Sequence, residues 1–310
     1  MRFAAVADIG TCSTKVVTGR KEGAVTSVAG VGKSESRGVK GGKVVKPKQA
    51  GKAVKEATKR AEEMASENIG SISIGVGGDV LNFSENRATV TINSEDGLIR
   101  QKDVDRLQDL VSSVDVGLNR EIISTIPLGF SLDGQPGVTN PVGLQGRRLD
   151  IVATLVSVER KWIKNFAKVA SLAGLDLAGL LPIPHCTGSV LLTEEERTRG
   201  KTVIDFGQET TDLLVFKEGR LADHLSFSLG GKNLTGDLAA RLSIPREEAR
   251  SIKHEFDLSA PGDDSGNFNR FGASGHNDQN SGRTVVCSTL SARLEEIFDL
   301  VLEEARQNGY

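Results

Sequence analysis

"VIDFGQETTDLLVFKEG", running from Val203 to Gly219, reads as a strand, a tight turn, a second strand and a closing Lys-Glu-Gly turn. Asp205, Gly207, Thr210, Thr211 and Asp212 surround the first turn as they would in a hairpin that holds a phosphate. A glycine there lets the backbone approach an anion, and hydroxyl and turn N–H groups can donate to its oxygens. Gln208 and Glu209 occupy the tip, where a carboxylate presents the wrong charge.

The start of the chain carries the same pattern. "AAVADIGTCSTKVVTGRKEGAVTSVAGVG" (Ala4–Gly32) and "KTVIDFGQETTDLLVFKEGRLADHLSFSLGG" (Lys201–Gly231) share one order: apolar strand, Asp-x-Gly, a Thr/Ser turn, second strand, Lys-Glu-Gly, third strand, glycine. Asp8 matches Asp205 and Gly10 matches Gly207, while the Lys-Glu-Gly turns fall one position out of register. Lys-Glu-Gly is common turn chemistry, so two unrelated hairpins are the alternative. The ordered match of strands and turns favours duplication. Two equivalent lobes, each with an aspartate-led turn, imply a ligand clamped between them.

Composition removes other classes. Lys and Arg number 39 against 41 Asp and Glu, so the net charge of -2 gives no global pull toward nucleic acid or anionic lipid. Aromatic residues are 4% of the chain, too few for a base-stacking platform. Cys12, Cys186 and Cys287 are far apart and odd in number, which suits free thiols in a reducing compartment. An aspartate at position 8 interrupts any signal-peptide core, and no apolar run approaches the ~20 residues that span a bilayer. A soluble cytoplasmic protein is expected.

Alternation between strand and helix periods argues for an α/β class. Val54, Ala57, Ala61 and Met64 make an apolar helical stripe within Lys48–Asn68, and Trp162, Phe166, Val169 and Ala173 make another after Glu159, with Gly174 as its stop. Both stripes are expected to be core. Ser243 before Ile244-Pro245 reads as a helix cap, with proline in the first turn of "REEARSIKHEF". Leu81 to Val158 reads as an inserted subdomain with strands "ATVTI" and "LDIVATLVSV" and helix "QKDVDRLQDLVSSV". Leu258 to Thr284 is almost devoid of apolar residues and reads as a long mobile loop.

In the first turn, Gly10 allows close approach, Thr11 and Ser13 offer hydroxyls, Lys15 offers charge, and Asp8 can hold Mg²⁺ through water. Gly230-Gly231 precede a helix in "SLGGKNLTGDLAARL", a place for phosphate or sugar against the backbone. Taken singly, an ordinary hairpin and a strand-to-helix turn explain these as well. No Ser-His-Asp, Cys-His or metal cluster is visible; His185, His224, His254 and His276 are dispersed, and Lys40 to Lys48 reads as a solvated turn.

Together these pieces resemble the actin-like ATPase superfamily, and within it the FtsA-type bacterial cell-division proteins. The resemblance rests on "ADIGTCSTK", "GVGKSESRGVKGGKVV", "IISTIPLGFSLDGQPGVTNPVGLQGRRLDI", "VLLTEEERTRGKTVIDFG" and "GGKNLTGDLA", in that order. It covers roughly Phe3 to Phe256, and more faintly Ser288 to Asn308; the "NPVGLQGRRL" block is its most specific part.

The resemblance implies a two-lobed, duplicated ribonuclease H-like fold with a second lobe that looks incomplete. Its expected divisions are a first lobe (1–80), the FtsA-type insert (81–158), a return to the first lobe (159–175), the second lobe (176–257), a flexible loop (258–284) and a terminal helix (285–310). It implies an ATP and Mg²⁺ site of Asp8, Gly10, Thr11, Ser13, Lys15, Asp205, Gly207, Gln208, Thr210, Thr211, Gly230, Gly231 and, near the adenine, Lys253, with Asp8 and Asp205 facing the metal through water. The implied role is an adaptor, at most a weak ATPase, that recruits FtsZ and later division proteins at the inner face of the membrane and self-associates. A pilus-assembly scaffold and a small-molecule kinase of the same superfamily are the alternatives.

Three departures stand out: Gln208 and Glu209 replace two glycines of the family's second turn, the FtsZ-docking subdomain gives way to the polar loop, and the membrane anchor is not seen before Tyr310. The last helix cannot replace that anchor. Leu290, Leu294, Ile297, Phe298 and Val301 form its stripe, while Glu295, Glu296, Asp299, Glu303 and Glu304 oppose anionic lipid, so it is expected to pack on the second lobe. Membrane association would then come only through partners or a further segment. A carboxylate about 5 Å from a phosphate charge, at an effective dielectric of about 20, costs roughly 3 kcal/mol, or on the order of a hundredfold in affinity. Glu209 therefore either faces away, faces Lys15 or Mg²⁺, or weakens nucleotide binding, and the last is the expectation.

Overall fold

The computed structural model describes residues 2–23, 25–258 and 280–310. The chain forms two compact units, Met1–Val203 with Leu214–Leu225, and Ile204–Leu213 with Ser226–Tyr310.

In the first unit β1 (Arg2–Ile9), β2 (Ser13–Glu22) and β3 (Val25–Glu35) form an antiparallel meander. Alternation along β2 buries Thr14, Val16 and Thr18 and leaves Lys15 and Val17 outside. A short ladder of β4 (Val39–Lys40) and β5 (Lys43–Val44) turns through Gly41 and Gly42 at φ 52° and 72°, the left-handed region that glycine enters freely.

Helix α1 (Pro47–Ala65) follows, with proline at its start and Ser66 in the left-handed conformation at its end. It lies directly on the β3 backbone: a Cβ at Gly32 would stand 1.8 Å from the Ala57 carbonyl oxygen. Strand β6 (Ser71–Val76) then pairs parallel with β1.

The next segment has its own core. Strands β7 (Leu81–Thr91), β8 (Arg120–Leu132), β9 (Gln135–Val138) and β10 (Arg148–Glu159) make a sheet of order β7-β10-β8-β9, packed with α2 (Gln101–Ser112) through Ile99, Val104, Leu107, Leu149 and Ile151. The "NPVGLQGRRL" block is scaffold. Gly143 N donates to Ile99 O and Ile99 N to Leu144 O, both at 2.9 Å, so the loop clasps a fully buried side chain. Asp133 Oδ1 accepts from Arg147 N and Arg148 N at 2.9 and 2.8 Å.

Helix α3 (Arg160–Ala173) returns the chain to the first core and ends at Gly174, φ 82°. Strand β11 (Asp176–Pro182) completes the five-stranded sheet, order β11-β6-β1-β2-β3. Helices α4 (Ile183–Leu191) and α5 (Glu194–Arg199) lead to β12 (Lys201–Phe206), β13 (Thr211–Lys217) and β14 (Arg220–Phe227), whose sheet order repeats that of β1, β2 and β3. Both Lys-Glu-Gly stretches end the second strand and turn toward the third, with Gly23 at φ 60° and Gly219 at φ 79°.

In the second unit α6 (Gly231–Leu242) packs with α7 (Arg246–Glu255) and α8 (Asn280–Gln307). Helix α8 buries Val286, Leu290, Ile297 and Val301, and its Arg293 grips Asp237 of α6 through two hydrogen bonds of 2.5 and 3.1 Å.

Four local expectations change. Met64 is 63% exposed and Phe298 40% exposed, because each lies at the edge of a helical stripe that its neighbours fill. Ser243 does not begin α7; at φ 53° it ends α6, and Pro245 precedes α7 instead of sitting in its first turn. Residues 280–284 are already helical, and the rest of the expected loop, 259–279, lies outside the described residues. No helix among the described residues is long and apolar enough to cross a membrane.

Candidate functional site

The first turn joins β1 to β2 through Gly10, Thr11 and Cys12. Asp8 and Lys15 are directly opposed across the strands, with Nζ 3.7 Å from Oδ2 and side chains 47% and 52% exposed. So open a pair contributes little to stability and leaves both charges available. Ser13 shares Lys15's side of the strand. Thr14 faces inward, where its hydroxyl meets Ser36 Oγ at 2.7 Å. Ser36 N donates to Cys12 O, which fastens the turn to the end of β3. A Cβ at Gly10 would stand 3.0 Å from Ser13 O, so the turn is closed tightly around a glycine.

The second turn, Gly207 to Thr210, joins β12 to β13 and closes with Gly207 N donating to Thr210 O at 2.8 Å. It is stitched to the start of α6: Gly231 N donates to Gly207 O at 2.9 Å and Lys232 N to Gln208 O at 2.7 Å. A Cβ at Gly230 would meet Gly207 O at 2.6 Å, which explains the first glycine by close approach. The leading N–H groups of α6 are thus spent on the turn's carbonyls and on the Asn233 N to Gly230 O bond. The Gly-Gly pair builds the turn, and the helix terminus does not offer those amides to an anion.

Around that junction the chain gathers side chains of both signs. Lys253 Nζ donates to Gly231 O at 2.9 Å, and the Gln208 side-chain oxygen lies 3.3 Å from where a Gly231 Cβ would be. Thr211 is fully buried and its hydroxyl donates to Leu229 O at 2.9 Å, so it supports the hairpin. Asp205 is exposed on β12.

Glu209 answers the puzzle of the tip: its Oε1 lies 2.5 Å from Nζ of Lys232, the second residue of α6, with Glu209 only 14% exposed. Lys232, not Lys15 or Mg²⁺, is the partner of this carboxylate, and no local sequence signal points to it. The pair leaves the tip close to neutral, which removes most of the repulsion expected of a lone carboxylate.

Each turn by itself offers a tight glycine, a carboxylate and a cation: Gly10, Asp8 and Lys15 in the first unit, and Gly207, Asp205 and Lys253 in the second. Among the described residues no group of three or more His, Cys, Asp or Glu side chains gathers to hold a metal directly. His185 stands apart on α4, half-buried; burial and the Arg197 guanidinium keep its imidazole below the usual 6.5.

Comparison with known proteins adds identity to this geometry. Residues 78–157 match a family model described as the SHS2 domain inserted in FtsA, and residues 202–303 match the model for cell division protein FtsA. The cell division protein FtsA of Bacillus subtilis (strain 168) is 29% identical over 306 residues, which cover 97% of this chain and 69% of that one. FtsA of Neisseria meningitidis serogroup B is 28% identical, covering all of this chain and 75% of that one. Among solved structures, a chain of a PilM-PilN type IV pilus biogenesis complex superposes with TM-score 0.63 at 14% identity, over 97% of this chain and 76% of that one. MreB5 of Spiroplasma citri bound to AMPPNP gives TM-score 0.50 at 14% identity, over 98% and 78%. At such identity these structures establish the actin-like fold and nothing finer.

Proposed function

We propose that this chain, which matches FtsA models over residues 78–157 and 202–303 and aligns with FtsA proteins at 28–29% identity, is an FtsA-like member of the actin-like ATPase superfamily and a nucleotide-binding cell-division adaptor acting at the cytoplasmic face of the membrane. One observation carries the reading. The FtsA-type insert falls between β6 and α3, inside a chain whose two Asp-x-Gly turns repeat one strand order.

In this reading ATP with Mg²⁺ is held by the two turns. Asp8 and Asp205 orient water on the metal; Lys15 and Lys253 offset phosphate charge. Gly10, Gly207, Gly230 and Gly231 keep the turns slim, and Thr11, Ser13, Thr210 and Gln208 line them. Thr211 acts only through the hairpin it braces. Chemistry is slow at best, because the turns supply charge and shape without an evident general base. The nucleotide serves as a conformational ligand.

The lobes of the sequence reading, with the insert at 81–158 and the second lobe from 176, are the working divisions. FtsZ and a second copy of the chain are the proposed partners, with contacts from α7 and from the insert. The pilus reading has fold likeness behind it and no more, since the insert and the second-unit match are both to FtsA models. Pull-down with the tagged chain from a bacterial lysate tests the choice. Recovery of FtsZ and other division proteins supports the adaptor; recovery of pilus-assembly proteins without them contradicts it.

A further inference from the structure

Residues 40–60 hold seven lysines and one arginine against a single carboxylate, Glu56, in a chain whose net charge is -2. The fold turns that run into a surface. On α1, Lys48, Lys52, Lys55 and Lys59 recur at i, i+4, i+7 and i+11 and are all exposed, while the opposite side of the helix is buried against β3. Helix α3 packs beside α1, close enough that a Cβ at Gly51 would stand 2.7 Å from Leu172 Cβ. It adds exposed Lys164 and Lys168 and has no acidic residue.

Two helices more than a hundred positions apart in sequence thus share one layer and one sign of charge. Local carboxylates cancel only part of it: Glu56 is exposed on α1 and lines one surface cavity with Lys52, and Asp79 pairs with Lys43 at 2.7 Å. Glu63 reaches only Lys59, at 3.8 Å, Glu62 accepts from Ile69 N, and Glu159 pairs with Lys161. Lys48, Lys52, Lys55, Lys164 and Lys168 have no carboxylate partner among the described residues. Apolar side chains stand exposed on the same two helices and on the link between β5 and α1: Val45 at 49%, Met64 at 63% and Leu172 at 41%.

We propose that the α1–α3 lysine face is a docking surface for an anionic lipid bilayer. Five unpaired lysines with long aliphatic stems suit diffuse attraction to a charged plane, where each contributes about fivefold in partitioning at low ionic strength. The exposed Val45 and Leu172 can enter the headgroup boundary beside them. Two packed helices offer a broad face without a protruding reading element. That arrangement favours a planar surface over the grooves of a nucleic acid. The inference rests on the reading of a protein that works beside the membrane, and it assigns contact to the body of the chain and not to α8.

Sedimentation of the full chain with phosphatidylcholine vesicles, with and without phosphatidylglycerol, tests it. The chain is expected to pellet with phosphatidylglycerol vesicles at low salt, to stay in solution with phosphatidylcholine alone, and to be released as salt rises. A Lys52→Glu/Lys55→Glu/Lys164→Glu variant should lose on the order of a hundredfold in partitioning, and the milder Lys→Gln triple should lose it too, with circular dichroism unchanged. Absence of wild-type pelleting, full retention by both variants, or displacement from the vesicles by duplex DNA at equal phosphate concentration would overturn the assignment. FtsZ co-sedimentation without lipid separates the two claims: variants that lose vesicles and keep FtsZ uphold the surface. Loss of FtsZ binding by wild type strikes the adaptor reading instead.

Discussion

Lys232 Nζ lies 2.5 Å from Glu209 Oε1, so the carboxylate at the tip of the second Asp-x-Gly turn is neutralised by the helix that the turn packs against. The two residues are far apart in sequence and meet because Gly231 N and Lys232 N donate into the turn's carbonyls. Glu209 is therefore not a lone carboxylate at that tip.

A charge cycle across this pair gives the first prediction. Lys232→Met uncovers the Glu209 carboxylate and should weaken Mg-ATP binding by about tenfold after solvent screening. Glu209→Gln should strengthen it by a smaller factor, and the double variant should return near wild type. Calorimetry on the four proteins measures the coupling. Four equal affinities would place the pair away from any nucleotide.

Gly230 and Gly236 predict opposite outcomes for the same substitution. An added Cβ at Gly230 meets the Gly207 carbonyl oxygen at 2.6 Å and Gln208 backbone at 3.0 Å, so Gly230→Ala should cost about 1–3 kcal/mol of stability. At Gly236 the nearest atom is the end of the Arg246 side chain at 3.9 Å. Gly236→Ala in that helix should be neutral or stabilising by up to about 1 kcal/mol. Urea denaturation of both variants checks the contrast.

His185 sets a pH dependence of definite sign. Its folded imidazole titrates below 6.5 because it is buried and faces Arg197, so the unfolded chain takes up the proton first. Stability should be level above that value and fall as pH drops below it. Glu85, held below 4.5 by a hydrogen bond from Arg87 and then by Arg220, loses its contribution only at lower pH, so the two windows separate. His185→Gln should flatten the unfolding free energy between about pH 7 and 5. An unchanged slope would mean that another group carries it.

The duplicated turns and the inserted segment were legible because each rests on local pattern: strand period, turn glycines, an aspartate in fixed register. The same holds for Gly174 as the stop of α3. What escaped the sequence was decided by partners distant in the chain. Lys232 follows Gly230-Gly231 in plain view, but only the stitching of turn to helix brings it to Glu209. Ser243 has the chemistry of a cap at either end of a helix, and the short α6–α7 connection made it a left-handed terminus. Lys40 to Lys48 read as a solvated turn because the lysines of α3 that complete the face lie in another part of the chain.

Co-sedimentation of the purified chain with FtsZ polymers, with and without Mg-ATP, tests the division-adaptor account most directly. The account predicts that the chain pellets with FtsZ in a saturable way and that Mg-ATP changes the amount bound. A chain that stays in the supernatant at every FtsZ concentration, with or without nucleotide, would contradict it.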